Sequence, residues 1–204
     1  MIKLIIIFWI LILIYLSISK TNLFKNKDRN MDMQIVAKRL DLNYVKGIIF
    51  KKSKVYGKIK ELSIQANWRT LVEQKSIYTV FEFIILYNFP LKNQFYITIK
   101  DRHISLPQEF PKGKIIKSND SEFDSLINIY SDDNIELLSK LNNEIRNEIL
   151  SLVSESYFFN ISFKGIYLCT SRIDLINSEF ITSKILQIKN LAELIYNQFN
   201  KNNI

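Results

Sequence analysis

The chain has 204 residues, of which 48% are hydrophobic and 13% aromatic, and its formal net charge is +8. A chain of this length can bury a core in one domain of ordinary size. Its single histidine and single cysteine exclude a disulfide within the chain, a zinc site built from cysteines and a two-histidine metal site. With four glycines and no glycine-rich phosphate motif, we expect no nucleotide-binding loop.

The N-terminus contains the most hydrophobic segment, with thirteen consecutive apolar residues at positions 4–16. Lys3 precedes this run, and four basic residues follow within ten positions of Ser19. A helix that spans a bilayer needs about 20 mostly apolar residues, and the segment 2–19 is long enough. Residues 1–19 are therefore predicted to be a transmembrane signal anchor.

Two fates of this segment fit the sequence. Ser17 and Ser19 have the small-x-small spacing of a signal-peptide cleavage site, and cleavage after Ser19 would release a secreted or periplasmic domain. The excess of Lys and Arg on the C-terminal side instead favours an uncleaved anchor with the large domain in the cytoplasm. The uncleaved, single-pass anchor is the leading prediction.

Residues 20–30 are polar and charged, and they are predicted to be a juxtamembrane linker to a globular domain over residues 31–204. A short helix is expected from Met31 to about residue 41, because apolar residues recur there at helical spacing.

The middle of the chain is rich in β-branched and aromatic residues, which favour strands. Strands are predicted at residues 45–50, 55–64, 76–87, 95–99, 114–116 and 123–130, and a short one around residues 103–106. A later hairpin is predicted over residues 157–163 and 166–170, with its turn at Lys164 and Gly165.

Two longer helices complete the prediction. The first begins near Asp133, where Asp133 and Glu136 have the spacing of a capping box, and runs to about Val153. The second runs from about Ser178 to Phe199. Because consecutive strands without intervening helices favour antiparallel pairing, the predicted fold class is α+β. We expect an N-terminal transmembrane helix followed by one domain, with a mainly antiparallel sheet packed by two long helices.

Few residues are candidates for catalysis. Asp101 lies beside His103, but a triad or metal site needs further partners, so we interpret His103 as structural or solvent-exposed. Asp120 and Asp124, with the acids near them, lack EF-hand spacing and are interpreted as capping and loop carboxylates. Cys169 is expected to be a small buried hydrophobe. No catalytic, metal-binding or cofactor-binding residue is predicted, and an enzyme with an unrecognised site at these acids or His103 is an alternative.

The segment 46–60 contains six lysines and no acid, interleaved with aromatic residues. It could contact anionic lipid headgroups, at about 1 kcal/mol per basic residue, or nucleic-acid phosphates. The preferred interpretation is a solvated strand whose lysines protect a sheet edge, and nucleic acid is the least favoured partner. The candidate lipid-contact residues are Lys46, Lys51, Lys52, Lys54, Lys58 and Lys60.

Several short motifs follow the apolar N-terminus in a fixed order: Ala37–Leu42, Lys46-Gly47, Tyr56-Gly57-Lys58, Phe123-Asp124, and an Asp-initiated helix with Leu141 and Arg146. This order resembles that of uncharacterised bacterial membrane-anchored proteins of unknown function. The resemblance implies a bacterial single-pass protein with a globular α+β domain, and it implies no catalytic residues.

Together these features predict a non-enzymatic, single-pass membrane-anchored protein whose domain binds a partner or the membrane surface. The expected partners are the membrane, through residues 2–19, and either anionic lipid headgroups or a membrane protein. The alternative is a binding domain that is secreted after cleavage.

Overall fold

The computed structural model describes residues 9–10, 28–47, 52–73, 76–88, 91, 94–100, 113–132 and 134–200. The helices are α1 (28–40), α2 (Ser121–Leu126), α3 (Asn134–Lys140), α4 (Asn143–Ser154) and α5 (Ser178–Asn200). The strands are β1 (Asn43–Val45), β2 (Lys54–Ile59), β3 (Leu62–Glu73), β4 (Ser76–Tyr87), β5 (Phe95–Ile99), β6 (Lys114–Ile116), β7 (Ile127–Ser131), β8 (Phe158–Ser162) and β9 (Gly165–Thr170).

One nine-stranded sheet organises the described part of the chain, in the order β1-β2-β3-β4-β9-β8-β5-β7-β6. Every neighbouring pair is antiparallel. The hairpin of β3 and β4 extends from the pair Leu62–Tyr87 to the pair Glu73–Ser76. The later hairpin of β8 and β9 lies between β4 and β5, so that it joins the first four strands to the remaining three.

The two faces of the sheet differ in what packs on them. Alternate residues of β3 are buried, and Trp68 packs edge-to-face on Phe81 of β4 with 5.0 Å between ring centroids. Helices α1, α4 and α5 form the main core with this face, which we call the helix face. The side chains that α5 buries recur every three or four residues: Ile181, Ile185, Ile188, Leu191 and Ile195. Each such side chain stabilises the fold by about 1.5–3 kcal/mol relative to exposure.

We call the opposite face of the sheet the groove face. It carries a small buried cluster of Val80, Phe158, Tyr167 and Cys169. On β2 to β4 the same face has half-buried polar residues and exposed side chains, among them Tyr56 and Leu86.

The predicted α+β class with a mainly antiparallel sheet is confirmed. The structure also confirms the strands at 76–87, 95–99 and 114–116, the hairpin of β8 and β9, and the last helix.

Four predicted elements were wrong in part. Of the strand predicted at 45–50, only Val45 lies in a strand, at the end of β1; residues 46–47 are not in a strand, and 48–50 lie outside the described residues. The strand at 55–64 is interrupted by a turn in which Lys60 has a φ of 53°, and β3 after it was not predicted as a separate strand.

Residues 121–126 form α2 because Asp120 caps it, so only the second half of 123–130 is a strand. The helix predicted over 133–153 divides at Asn142, whose side chain accepts from the Ile145 N–H and caps α4.

The predicted anchor over residues 1–19 lies outside the described residues except for Trp9 and Ile10, which are helical and exposed. Among the described residues, no helix combines the length and the apolar character needed to cross a bilayer. Residues 28–30, which the sequence assigned to the linker, are helical. The strand expected near 103–106 and the cap at Asp133 also lie outside the described residues.

Candidate binding groove and its surroundings

Two of the six candidate lysines are brought together on the groove face. Lys54 and Lys58 are separated by four positions on β2, so both side chains project from the same side of the strand. Tyr56 lies between them on that side, and the Lys54 ammonium is 5.2 Å from the centroid of its ring. This distance allows a cation–π interaction, which helps to hold the Lys54 side chain across the aromatic ring.

The other candidate lysines have different surroundings. Lys60 lies in the turn after β2, and its Nζ is 3.2 Å from Oε1 of Glu193 in α5. Lys52 donates a hydrogen bond to the Thr70 hydroxyl. Lys46 is exposed after β1, and Lys51 lies outside the described residues. The predicted basic segment is therefore not one continuous patch.

Lys54 and Lys58 line a groove of about 570 Å³ on the groove face. Ile84 and Leu86 supply apolar surface, and Leu86 is 44% exposed. Asn43, Ser63 and Gln65 add neutral polar groups. Among the described residues that line this groove there is no carboxylate. The surface therefore combines positive charge with apolar and aromatic contact area.

A buried carboxylate lies next to the groove on β4. Glu82 is 5% exposed, and its Oε1 accepts a hydrogen bond of 2.7 Å from the Asn67 amide. Its Oε2 accepts from the Tyr167 hydroxyl at 2.9 Å and from the Arg69 guanidinium at 3.2 Å. Gln65 extends the network by donating to Asn67 at 2.8 Å, and Gln65 also lines the groove.

Protonation in this network follows from burial and from the charge of Glu82. Burial, followed by the negative charge of Glu82, raises the pKa of Tyr167 well above its usual range, so its hydroxyl remains a donor. Burial alone would lower the pKa of Arg69, but the hydrogen bond and charge of Glu82, together with Tyr167, raise it. Tyr167 and Arg69, the two titratable donors among the three that Glu82 has, therefore keep their protons, and the network holds the side chains that border the groove.

The Glu82 network was not predicted from the sequence. The available signal was an acid in the middle of an apolar strand, because such an acid must find donors when it is buried. Cys169 is opposite Glu82 in the β4–β9 pairing and is buried in the cluster on the groove face. Its expected role as a buried hydrophobe is confirmed.

The acids considered for catalysis accept hydrogen bonds from nearby backbone N–H groups. Asp120 accepts from the Phe123 N–H at 3.1 Å as the cap of α2, and Asp124 accepts from the Ser118 N–H at 2.9 Å. The contact of Asp120 confirms its interpretation as a capping carboxylate, whereas Asp124 lies within α2 and not in a loop. Asp101 and His103 lie outside the described residues. In the described part of the chain, no group of His, Cys, Asp and Glu side chains could hold a metal ion.

A second group of cations lies on the helix face, near the start of α1. The Arg29 guanidinium lies 4.1 Å from the centroid of the Trp68 ring. Burial lowers the pKa of Arg29. Burial, followed by the charge of Arg29, lowers the pKa of Lys52, although Glu82 partly offsets this.

Another cavity, of about 480 Å³, lies between β9 and α5 and contains charges of both signs. Lys184 Nζ is 2.5 Å from Oε2 of Glu155 and also donates to Gln187 at 2.9 Å. Because Lys184 is already paired with Glu155, this cavity should attract an anionic ligand less strongly than the groove does.

Comparison of the chain with protein-family models, with curated proteins and with solved structures gives no match. The resemblance to uncharacterised bacterial membrane-anchored proteins therefore stays a prediction.

Proposed function

We propose that this chain is a single-pass membrane-anchored protein whose α+β domain is a non-enzymatic binding domain. The groove would bind an acidic and partly apolar segment of a partner protein in the same membrane. The observation that carries the proposal is the groove itself, with Lys54 and Lys58 on its rim, Ile84 and Leu86 as apolar surface, and no carboxylate in the described part of its lining.

The distance between Lys54 and Lys58 indicates how far apart the acids of the ligand should be. Side chains four positions apart on a strand are about 13 Å apart along it. An extended segment with two acids at the same spacing would therefore reach both ammonium groups, while residues between the acids contact Tyr56 and Leu86. The groove volume of about 570 Å³ is within the usual range for binding clefts, which is about 300–1,000 Å³.

The membrane location is supported by the sequence. Residues 4–16 are uninterrupted apolar residues, and basic residues follow on the C-terminal side. By the positive-inside rule, these charges support a domain on the cytoplasmic side. A groove on an anchored domain meets partners that diffuse in the same bilayer, and this raises their effective concentration.

The anchor is tested by the intact mass of the protein recovered from membranes, together with carbonate extraction. We expect a full-length mass that resists extraction. A mass that lacks residues 1–19, found in the soluble fraction, would contradict the anchor and make the chain a secreted or periplasmic binding domain.

The groove is tested by photo-crosslinking in cells. A photoreactive amino acid replaces Tyr56 in the full chain, and a matched variant carries it at Leu186 of α5, which has the same 40% exposure. We expect a discrete crosslinked product from position 56 alone, and its loss when Lys54→Glu and Lys58→Glu are added. Equal products from both positions, or none from position 56, would contradict the proposed groove.

A further inference from the structure

We infer that the end of the sheet beside the start of α1 binds phospholipid headgroups through Arg29 and Lys52, next to the buried Trp68. The inference rests on the proposed membrane anchor. It assigns lipid contact to a different surface from the groove, and it retains only Lys52 of the six lysines that the sequence suggested.

The three side chains share one small area of the helix face. Arg29 lies on the Trp68 ring, 4.1 Å from its centroid, and Lys52 donates to the hydroxyl of Thr70. Trp68 and Thr70 are two positions apart on β3, so their side chains project to the same side of the strand. The contact with Trp68 and the contact with Thr70 therefore hold the two cations beside each other.

The donors in this area outnumber the acceptors. Trp68 is 5% exposed, and its Nε1 has no hydrogen-bond partner in the described part of the chain. Among the described residues, no carboxylate forms an ion pair with Arg29 or Lys52. Glu82 lies close enough to act on the pKa of Lys52, but its oxygens accept from Asn67, Tyr167 and Arg69.

A phosphate group supplies the hydrogen-bond acceptors that these donors lack. Its oxygens accept several hydrogen bonds, and a guanidinium can donate two parallel ones to it. The negative charge would also reduce the repulsion between Arg29 and Lys52.

Chain connectivity favours a lipid over a soluble phosphate. Arg29 follows Ser19, the end of the predicted anchor, by ten positions. Ten extended residues span at most about 36 Å, so this end of the domain stays near the bilayer surface. Anionic headgroups attract basic residues there, and the attraction is strongest within a screening length of about 8 Å.

The test uses Trp68 as its own reporter. The chain has two tryptophans, so Trp9→Phe leaves Trp68 as the only one. The full chain with this change is reconstituted in nanodiscs of phosphatidylcholine, with and without phosphatidylserine. Quenching of Trp68 by a headgroup spin label measures the docked fraction, and we expect phosphatidylserine to increase quenching and salt to reverse it.

Variants that remove the same charge from different positions test whether Arg29 and Lys52 cause the docking. Arg29→Gln with Lys52→Gln should lower the docking equilibrium about 25-fold, since each basic residue contributes about fivefold. Lys38→Gln with Arg39→Gln removes the same charge from exposed positions near the other end of α1 and should leave docking unchanged. Arg29→Lys keeps the charge but loses the two parallel hydrogen bonds, so it should dock less than the unchanged chain and more than the Arg29→Gln, Lys52→Gln variant.

Four results would overturn the inference. These are no response to phosphatidylserine, an equal loss in the Lys38 and Arg39 control, an Arg29→Lys variant as weak as the neutral one, and loss of the phosphatidylserine response when inorganic phosphate is added at constant ionic strength. The last would assign the site to soluble anions. Intact mass and carbonate extraction of the same preparations report on the anchor separately, so a failed anchor and a failed headgroup site are distinguishable.

Discussion

The carboxylate of Asp32 in α1 accepts a hydrogen bond of 2.9 Å from the backbone N–H of Ser178, which is 146 positions away in the sequence. Ser178 is the first residue of α5, and the N–H groups of a helix's first turn have no partner within the helix. A negative charge is also favourable at this end of a helix. Asp32 therefore connects the first helix of the domain to the beginning of the last.

Replacing this carboxylate should destabilise the domain measurably. We expect Asp32→Ala to lower the free energy of unfolding by about 1 kcal/mol, as for other helix caps. In a chain of this size that corresponds to about 2–4 °C in Tm. Thermal unfolding of the full chain in detergent measures the shift. Glu148→Ala, which removes a partly exposed acid from the middle of α4, is the control, and equal shifts for both variants would show that the contact has no specific effect.

The Glu82 network should be more sensitive. Glu82→Ala removes the acceptor of Asn67, Tyr167 and Arg69 and leaves a partly buried cation unpaired, which should cost about 2–3 kcal/mol. Glu61→Ala, whose carboxylate accepts from an exposed amide, should change stability by about 0.5 kcal/mol or less. Chemical denaturation of both variants measures the difference, and similar values would contradict a structural role for Glu82.

The sequence predicted the elements whose signal is local. The apolar run 76–87 and the spacing of Ile181, Ile185 and Ile188 each specify an element without reference to the rest of the chain. β3 was missed as a strand of its own because half of its residues are polar. That alternation marks a strand with one face in the core, and its polar residues Gln65, Asn67 and Arg69 form the network with Glu82.

The candidate site could be predicted only in part, because its members come from separate strands. The sequence identified Lys54 and Lys58 by composition. It could not separate them from Lys60, since a turn directs Lys60 toward Glu193 on the other side of the sheet. Glu82 and Tyr167 are 85 positions apart and meet only because β9 pairs with β4. Such contacts depend on strand order, which local patterns do not specify.

Gly165 should be the glycine least tolerant of substitution in the sheet. A Cβ at this position would lie 2.1 Å from the backbone oxygen of Ile85 and 2.8 Å from Cα of Leu86, and neither can move without disturbing β4. We expect Gly165→Ala to cost about 3 kcal/mol. At Gly57 the nearest atom is the end of the Leu42 side chain, which can rotate away, so Gly57→Ala should cost about 1 kcal/mol or less. The two Tm values test this, and a larger loss at Gly57 would contradict it.

The ion pairs of Glu193 should make stability depend on pH. Its carboxylate is 2.9 Å from Lys189 Nζ and 3.2 Å from Lys60 Nζ. Burial alone would raise its pKa, but hydrogen bonds and charge from the two lysines hold the pKa below its ordinary value of 4.5. Because the folded pKa is the lower one, this stabilisation is complete above the ordinary value and is lost as the pH falls through the folded pKa.

Removing one lysine tests this dependence. Lys60→Gln should reduce the difference in Tm between neutral and acid pH, because less stabilisation of the Glu193 carboxylate remains to be lost. The effect at neutral pH should be about 0.5 kcal/mol, since Lys60 is largely exposed. Lys58→Gln removes the same charge from the groove face and should leave the pH dependence as it is. If both variants have the wild-type difference in Tm, the ion pair with Glu193 does not contribute to acid sensitivity.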